Sequence, residues 1–264
     1  MTPRWRKKPA ALVRPAREIR AGEGSRLRKH LGTAWRLLVT DPRGLFRTID
    51  RGLAWRLSPV TNLLRSIPKR IGDRVYDCIH RVDTAGRIGL KDLKIAGPSV
   101  ALGSRYQSSS TAELRRLLAG ISVRHEDFVF IDFGSGKGKC LLLAADYPFQ
   151  KIIGVEFSPE LAGVAQRNIE RYRPRRRRCR NLESVLADAT EYPLPPDPGI
   201  YYFYNPFQSP VMELVLRNIG RSLEEHPRPV YILYSNPVHA SLLDACSWLR
   251  RIRQTPASLV YRNV

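Results

Sequence analysis

The chain runs to 264 residues, 43% of them hydrophobic, which suffices for one full α/β domain with an extension and excludes disorder from end to end. Its formal charge is +21, and a net +14 of that falls in residues 1–74, so the basic character sits mainly at the front. No apolar run approaches the length that crosses a bilayer and no signal-type segment opens the chain, so a cytoplasmic protein is expected.

Residues 1–23 are rich in Arg, Lys, Pro and Ala, with little to bury, and read as a tail. Glu18, Glu23 and the lack of hydroxyl residues count against an organelle presequence. From Ser25 the pattern changes: Leu27, Leu31, Trp35 and Leu38 share one helical face, and Asp41-Pro42 breaks that helix. Leu45, Phe46, Ile49, Leu53 and Trp55 mark a second helix, and Leu63, Leu64 and Ile67 a short third one after Ser58-Pro59. Set among arginines, these faces suit packing against the rest of the chain, an anionic membrane surface or a polyanion.

Residues 75–122 read as a connecting cap. Asp83-Thr84-Ala85-Gly86 and Ala96-Gly97-Pro98 are turn-rich, and Thr111 with Leu114, Leu117 and Leu118 marks a capped helix. Tyr106-Gln107-Ser108-Ser109-Ser110 reads in itself as a loop and N-cap.

A strand, a glycine turn and a helix follow. Phe128 to Ile131 form an apolar run buried on both faces; Asp132-x-Gly134-x-Gly136-x-Gly138 is an acid before an evenly spaced glycine series; Cys140 to Ala145 is helical. Glycines let backbone approach a ligand closely at the end of a parallel strand. A phosphate-cradling Walker loop fails, because the first required glycine is Phe133 and Cys140 stands where Ser or Thr belongs. The dinucleotide fingerprint begins with Gly134 and Gly136 but meets Lys139 at its third glycine, so a nicotinamide cofactor is weakened without being excluded. An acid at the strand end suits a cationic ligand. A second apolar run, Ile152 to Val155, ends in Glu156, placed to accept both hydroxyls of a ribose. A third ends at Asp188-Ala189.

These features together resemble the class I S-adenosylmethionine-dependent methyltransferases. The resemblance covers residues 123–264 and implies a doubly wound, Rossmann-like α/β fold. Its sheet is seven-stranded and mostly parallel, closing in an antiparallel hairpin. It implies that Asp132, Gly134, Ser135, Gly136 and Gly138 face the methionine part of the cofactor, Glu156 its ribose, and Asp188 with Ala189 its adenine. The segment before the first strand often folds over the cofactor in that family, which makes Tyr106 and Gln107 candidates for closing the site. Among members, the glycine loop and Gly154-Val155-Glu156 look most like the non-SET lysine methyltransferases of the disruptor-of-telomeric-silencing type and their bacterial relatives.

Further along, Ser158-Pro159 opens a helix with Ser as cap and Pro in the first turn. Six arginines fall between Arg173 and Arg180, a run suited to solvent, phosphate or an acidic partner. Leu182 to Ala187 and Ile200 to Tyr204 are strands, separated by a proline-rich connection. The second ends in Asn205-Pro206-Phe207, similar to the Asn-Pro-Pro-aromatic motif of methyltransferases acting on planar or primary nitrogen, but with one proline instead of two. There the carboxamide accepts the target N–H while the aromatic ring packs on the substrate. Val211 to Leu223 is helical and Val230 to Tyr234 a strand; Ser235-Asn236-Pro237 precedes a short helix. Trp248 to Ile252 and Ser258 to Arg262 then make a hairpin.

Four cysteines without a C-x-x-C pair and five histidines without i,i+4 pairing give no reason to expect a disulfide framework or a metal. The expected division is therefore a basic front (residues 1–74), a cap over the cofactor site (75–122) and a catalytic domain (123–264). The expected activity is methyl transfer from S-adenosylmethionine to nitrogen, with a protein substrate favoured over nucleic acid. The alternatives are a nucleic-acid amino-group methyltransferase and a silent module of the same fold, held on nucleic acid or membrane by its basic front.

Overall fold

The computed structural model describes residues 69–89, 106–107, 109–173 and 178–264. The chain divides into two compact units, Met1–Pro68 and Lys69–Val264. The amphipathic helices expected before residue 68 and positions 174–177 of the arginine run lie outside the described residues.

The second unit opens on α1 (Lys69–His80), a helix that runs straight through position 74/75, where the sequence pattern had marked a change of segment. Its inward residues are polar and aromatic: Asp73 is buried and Tyr76 packs against the core, while Ile79 is 53% exposed. Arg81 then adopts a left-handed φ of 56°. The Asp77 carboxylate accepts from the Thr84 and Ala85 amides at 2.8 and 2.7 Å, which ties the following turn to the helix. Arg87–Ile88 pairs antiparallel with Tyr106–Gln107. In α2 (Thr111–Ala119), Ser110 is the N-cap and Leu114, Leu117 and Leu118 face inward, as their spacing requires.

From there strands and helices alternate. β1 (Val129–Phe133) is buried throughout, and α3 (Lys139–Ala144) follows the glycine turn. Next come β2 (Lys151–Glu156), α4 (Pro159–Arg171), β3 (Leu182–Leu186), β4 (Gly199–Tyr204) and α5 (Ser209–Glu225). The chain closes with β5 (Val230–Ser235), α6 (Ala240–Asp244), β6 (Leu249–Gln254) and β7 (Ser258–Asn263). Ser158 caps α4 by accepting from the Leu161 amide, with Pro159 in the first turn.

The sheet order is β3-β2-β1-β4-β5-β7-β6. β1 to β5 run parallel, and β7 enters antiparallel between β5 and β6. This is the seven-stranded mixed sheet of the class I methyltransferases, with the hairpin in its expected place. β6 extends two residues beyond its expected end, through a bulge between Arg251 and Arg253. Strand order reverses between β1 and β4, and a crevice opens at such a switch point on the carboxyl side of the strands.

A core lies on each face of the sheet. One gathers Phe130, Leu141, Leu142, Leu143 and Tyr202; the other Phe133, Phe203, Val215, Ile219 and Tyr261. Phe133 and Phe203 stack nearly parallel across β1 and β4, 5.0 Å between centroids. Each such side chain, fully buried, contributes roughly 1.5–3 kcal/mol, so the two cores hold the carboxyl edges of β1, β2 and β4 in fixed positions.

Candidate active site

The glycine loop is shaped by the strand beside it. The Gly134 and Ser135 amides both donate to the Val155 carbonyl, at 2.9 and 3.2 Å. Gly134 has φ +74°, and a Cβ there would lie 2.5 Å from Cβ of Pro206. Any side chain would therefore drive the loop away from the turn that ends β4.

Two buried carboxylates flank this loop. Glu156 accepts from the Gly136 amide at 2.8 Å and the Ser158 amide at 3.0 Å, so it binds the loop to the start of α4. Burial pushes its pKa up, and those amide bonds oppose the shift. Asp132 is 3% exposed and accepts no amide among the described residues. Burial, then the nearby Glu156 charge, pushes it up to about 8, against a bond from the Cys140 thiol that favours the ionised form. The neighbouring Ser135 hydroxyl is buried with no hydrogen-bond partner among the described residues, while the buried Tyr202 hydroxyl bears on Ser235, Ser109 and the Cys140 thiol. A buried polar group left unpaired is costly, and such groups mark sites that a ligand completes.

Beside the loop lies a small cleft of about 20 Å³, open to solvent and roomy enough for about one water, lined by Gly134, Val155, Phe157, Ala187, Asp188, Ala189, Phe207 and Val211. Asp188 is held by Thr190, whose amide and hydroxyl donate to Oδ1 at 2.9 and 2.8 Å. The geometry thus brings Asp132, the glycine loop and Glu156 together with Asp188 and Ala189 at one edge of the sheet. Tyr106 and Gln107 are placed by their backbone pairing alone. Ser109, just beyond them, reaches the Cys140 thiol and is a residue the sequence reading passed over.

At the end of β4, Asn205 has a left-handed φ of 44°. Its Oδ1 accepts from the Tyr234 hydroxyl at 3.2 Å, and that hydroxyl accepts from the His239 amide, also at 3.2 Å. The amide takes one lone pair of the phenol and so directs its proton to Asn205, which sets the carboxamide orientation. Phe207 is 5% exposed, edge-on to Phe203 and part of the cleft wall. An apolar wall at that point stabilises the buried ring by roughly 2–3 kcal/mol.

Two lysines of the loop also have partners that the motif did not reveal. Lys137 Nζ pairs with Asp83 at 2.7 Å and Lys139 Nζ with Asp73 at 2.5 Å, and both lysines are buried. Asn168 of α4 locks the first pair in place: its Nδ2 donates to the Asp83 and Lys137 carbonyls, and its Oδ1 accepts from the Asp83 amide. A buried ammonium needs such a partner, so the segment from α1 to residue 85 braces the back of the glycine loop. Among the described residues no group of His, Cys, Asp and Glu is disposed to hold a metal ion.

No protein-family model and no curated protein matches the chain. Among solved structures it is similar to the YcgJ protein from Bacillus subtilis, at 20% identity over 51% of this chain and 56% of that one, TM-score 0.38. It is similar also to the 23S rRNA methyltransferase ErmE, at 15% identity over 58% and 67%, TM-score 0.39. A SAM-dependent methyltransferase from Aquifex aeolicus aligns at 13% identity over 58% and 90%, TM-score 0.45. The aligned segment spans little more than half of YcgJ. These are likenesses of fold, and the strand order above establishes that fold independently of them.

Proposed function

We propose that the chain is an S-adenosylmethionine-dependent methyltransferase acting on a nitrogen nucleophile. One observation carries the reading: a buried carboxylate with no amide partner among the described residues, a glycine-rich loop and a small acid-edged cleft converge on the carboxyl ends of β1, β2 and β3 at the switch point. That donor set suits a sulfonium nucleoside with an amino-acid tail. Asp132 would hold the ammonium, the loop would admit the methionine part, and Asp188 with Ala189 would take the adenine. Glu156 accepts the Gly136, Ser158 and Phe157 amides, and a carboxylate offers about four lone-pair sites, so capacity remains for a ribose hydroxyl.

When bound, the cofactor supplies an electrophilic methyl that a neutral nitrogen lone pair can displace. The chain's part is orientation. Asn205 Oδ1, steadied by Tyr234, would accept an N–H of the acceptor, turning its lone pair toward the crevice. A neutral amine needs no strong base, which accords with an acceptor side built from amide, phenol and proline. The lysine acceptor is supported by the likeness of Gly154-Val155-Glu156 and the glycine loop to the non-SET lysine enzymes; the nucleic-acid amino group remains the competing acceptor.

Titration calorimetry of the full chain with S-adenosylmethionine tests the first step, with a thermal-shift arm using NAD; absence of binding to the former overturns the proposal. Asn205→Ala should keep cofactor affinity within about twofold and remove at least about 99% of methyl incorporation, a loss of roughly 3 kcal/mol in transition-state stabilisation. The assay is tritium transfer into a cell extract fractionated into protein, nucleic acid and small molecules, and the labelled fraction names the acceptor class.

A further inference from the structure

We propose that the β6–β7 hairpin carries a docking surface for single-stranded nucleic acid, centred on Arg250 and Arg262. The two arginines are direct cross-strand partners, and Arg262 is in turn opposite Tyr231 of β5, so Tyr231, Arg262 and Arg250 form a row on one face of the sheet. Both arginines are exposed, and neither has an ion pair or hydrogen bond among the described residues. Like charges directly opposite one another in an antiparallel pair are destabilising, so this row is a place where the fold tolerates uncompensated charge.

The other face of the same hairpin shows the contrast. There Arg251 is paired with Asp244, bonded to Gln254 and laid over the Tyr261 ring. One face is neutralised and the other is left cationic, so the charge is a property of the face rather than of hairpin composition. Arg253, opposite Val260 beyond the bulge, adds a third exposed guanidinium, which lies over Gly120 at the end of α2.

The chemistry of the row selects the partner. Guanidinium forks match phosphate oxygens bidentately. Arg262 is stacked over Tyr231, 5.7 Å from its ring centroid, which leaves the outer face of the guanidinium for an unstacked base. Unstacked bases belong to single strands, and the row lies toward the amino end of the sheet, away from the carboxyl edge. Arg262 lies four residues along β7 from Ser258, which pairs with Ser235 at the carboxyl end of β5, a span of about 13 Å. The surface is independent of methyl transfer and would bind whether or not the crevice is active.

Fluorescence anisotropy of the full chain with a fluorescein-labelled twelve-nucleotide oligouridylate, titrated across sodium chloride concentrations, tests this. Arg250→Glu with Arg262→Glu should weaken binding at least about tenfold near 0.1 M salt and remove about 1.4 from the logarithmic salt slope, the share of two phosphate contacts on a single strand. Arg167→Glu with Arg217→Glu, the same charge change at exposed positions of α4 and α5, should leave the slope nearly unchanged. Arg262→Lys, which keeps the charge but loses the stack, should cost a few-fold. Equal losses from the two double variants, no loss from either, or a dependence on these arginines for phosphatidylserine vesicles but not for RNA would each overturn the proposal. Thermal melts of every variant confirm that it is folded.

Discussion

The two ends of the sheet are finished differently. At the amino end, all five N–H donors of the buried Arg228 guanidinium are used. They go to the Asp197, Ser222 and His226 carbonyls, the Ser222 hydroxyl and the Tyr201 hydroxyl. Asn263 adds two more bonds, accepting from the Val230 amide and donating to the Arg228 carbonyl. At the carboxyl end, among the described residues, Asp132 has only a thiol and the buried Ser135 hydroxyl has no partner. One strand set therefore ends in a closed polar network on one side and an open one on the other. Of the two strand ends, only the open one leaves buried polar groups for a ligand to complete.

The largest test of this contrast is removal of the closed end. Arg228→Ala should cost on the order of 4 kcal/mol, since it strips several charge-assisted bonds and leaves buried carbonyls unpaired. Urea denaturation measures the cost, and Arg228→Lys should recover only part of it, a compact ammonium being unable to reproduce the fork. Cofactor affinity of the folded variant should stay near that of the parent. A comparable loss of affinity would show that the two ends are not separable.

At the open end, Asp132 supplies a pH signature. Its carboxyl stands at about 8 in the folded chain against an ordinary 3.8, so between those values the native state holds a proton that the unfolded state has released. Its contribution to stability is therefore greatest in acid and is lost as pH rises toward about 8. Asp132→Asn should flatten that decline, so that denaturation midpoints of variant and parent converge or cross as pH is raised from about 5 to 8. If the cofactor's ammonium faces this group, affinity for S-adenosylmethionine should move the other way, rising by up to about tenfold per pH unit below about 8. Affinity independent of pH in the parent would remove Asp132 from that role.

The smallest effect concerns the acceptor rim. Tyr234→Phe deletes one neutral hydrogen bond to Asn205 and should lower turnover on whichever fraction accepts label by about five- to tenfold, close to 1 kcal/mol. Cofactor affinity and thermal stability should hardly change. A matching fall in cofactor affinity would make Tyr234 a structural residue of β5 rather than one that positions the carboxamide.

Much of this architecture was readable along the chain. Apolar runs located β1, β2, β4 and β5 within a residue or two, Ser158-Pro159 marked the start of α4, and the spacing from Asp132 to Glu156 identified the crevice. α1 is strongly amphipathic in sequence, yet Asp73 and Tyr76 turn inward while Ile79 points outward, so its apolar stripe does not mark its buried side. Lys137 and Lys139 were equally silent. Their carboxylate partners lie 54 and 66 residues upstream, and no local pattern announces a pairing at that distance. The burial of Phe207 against Phe203 also depends on a strand partner that its local motif does not specify.

Residue order thus dictated strand placement, helix caps and the glycine turn, all of which depend on neighbours a few positions away: a two-residue alternation, a capping hydroxyl, a missing Cβ. What each polar group would meet was settled by folding, because hydrogen bonding and burial depend on which distant segments come together. Glu156 became bound to three amides and Asp132 was left with a thiol. Arg228 found five acceptors, and Arg250 and Arg262 found none among the described residues. Those outcomes separate the braced parts of the molecule from the parts still able to take a ligand.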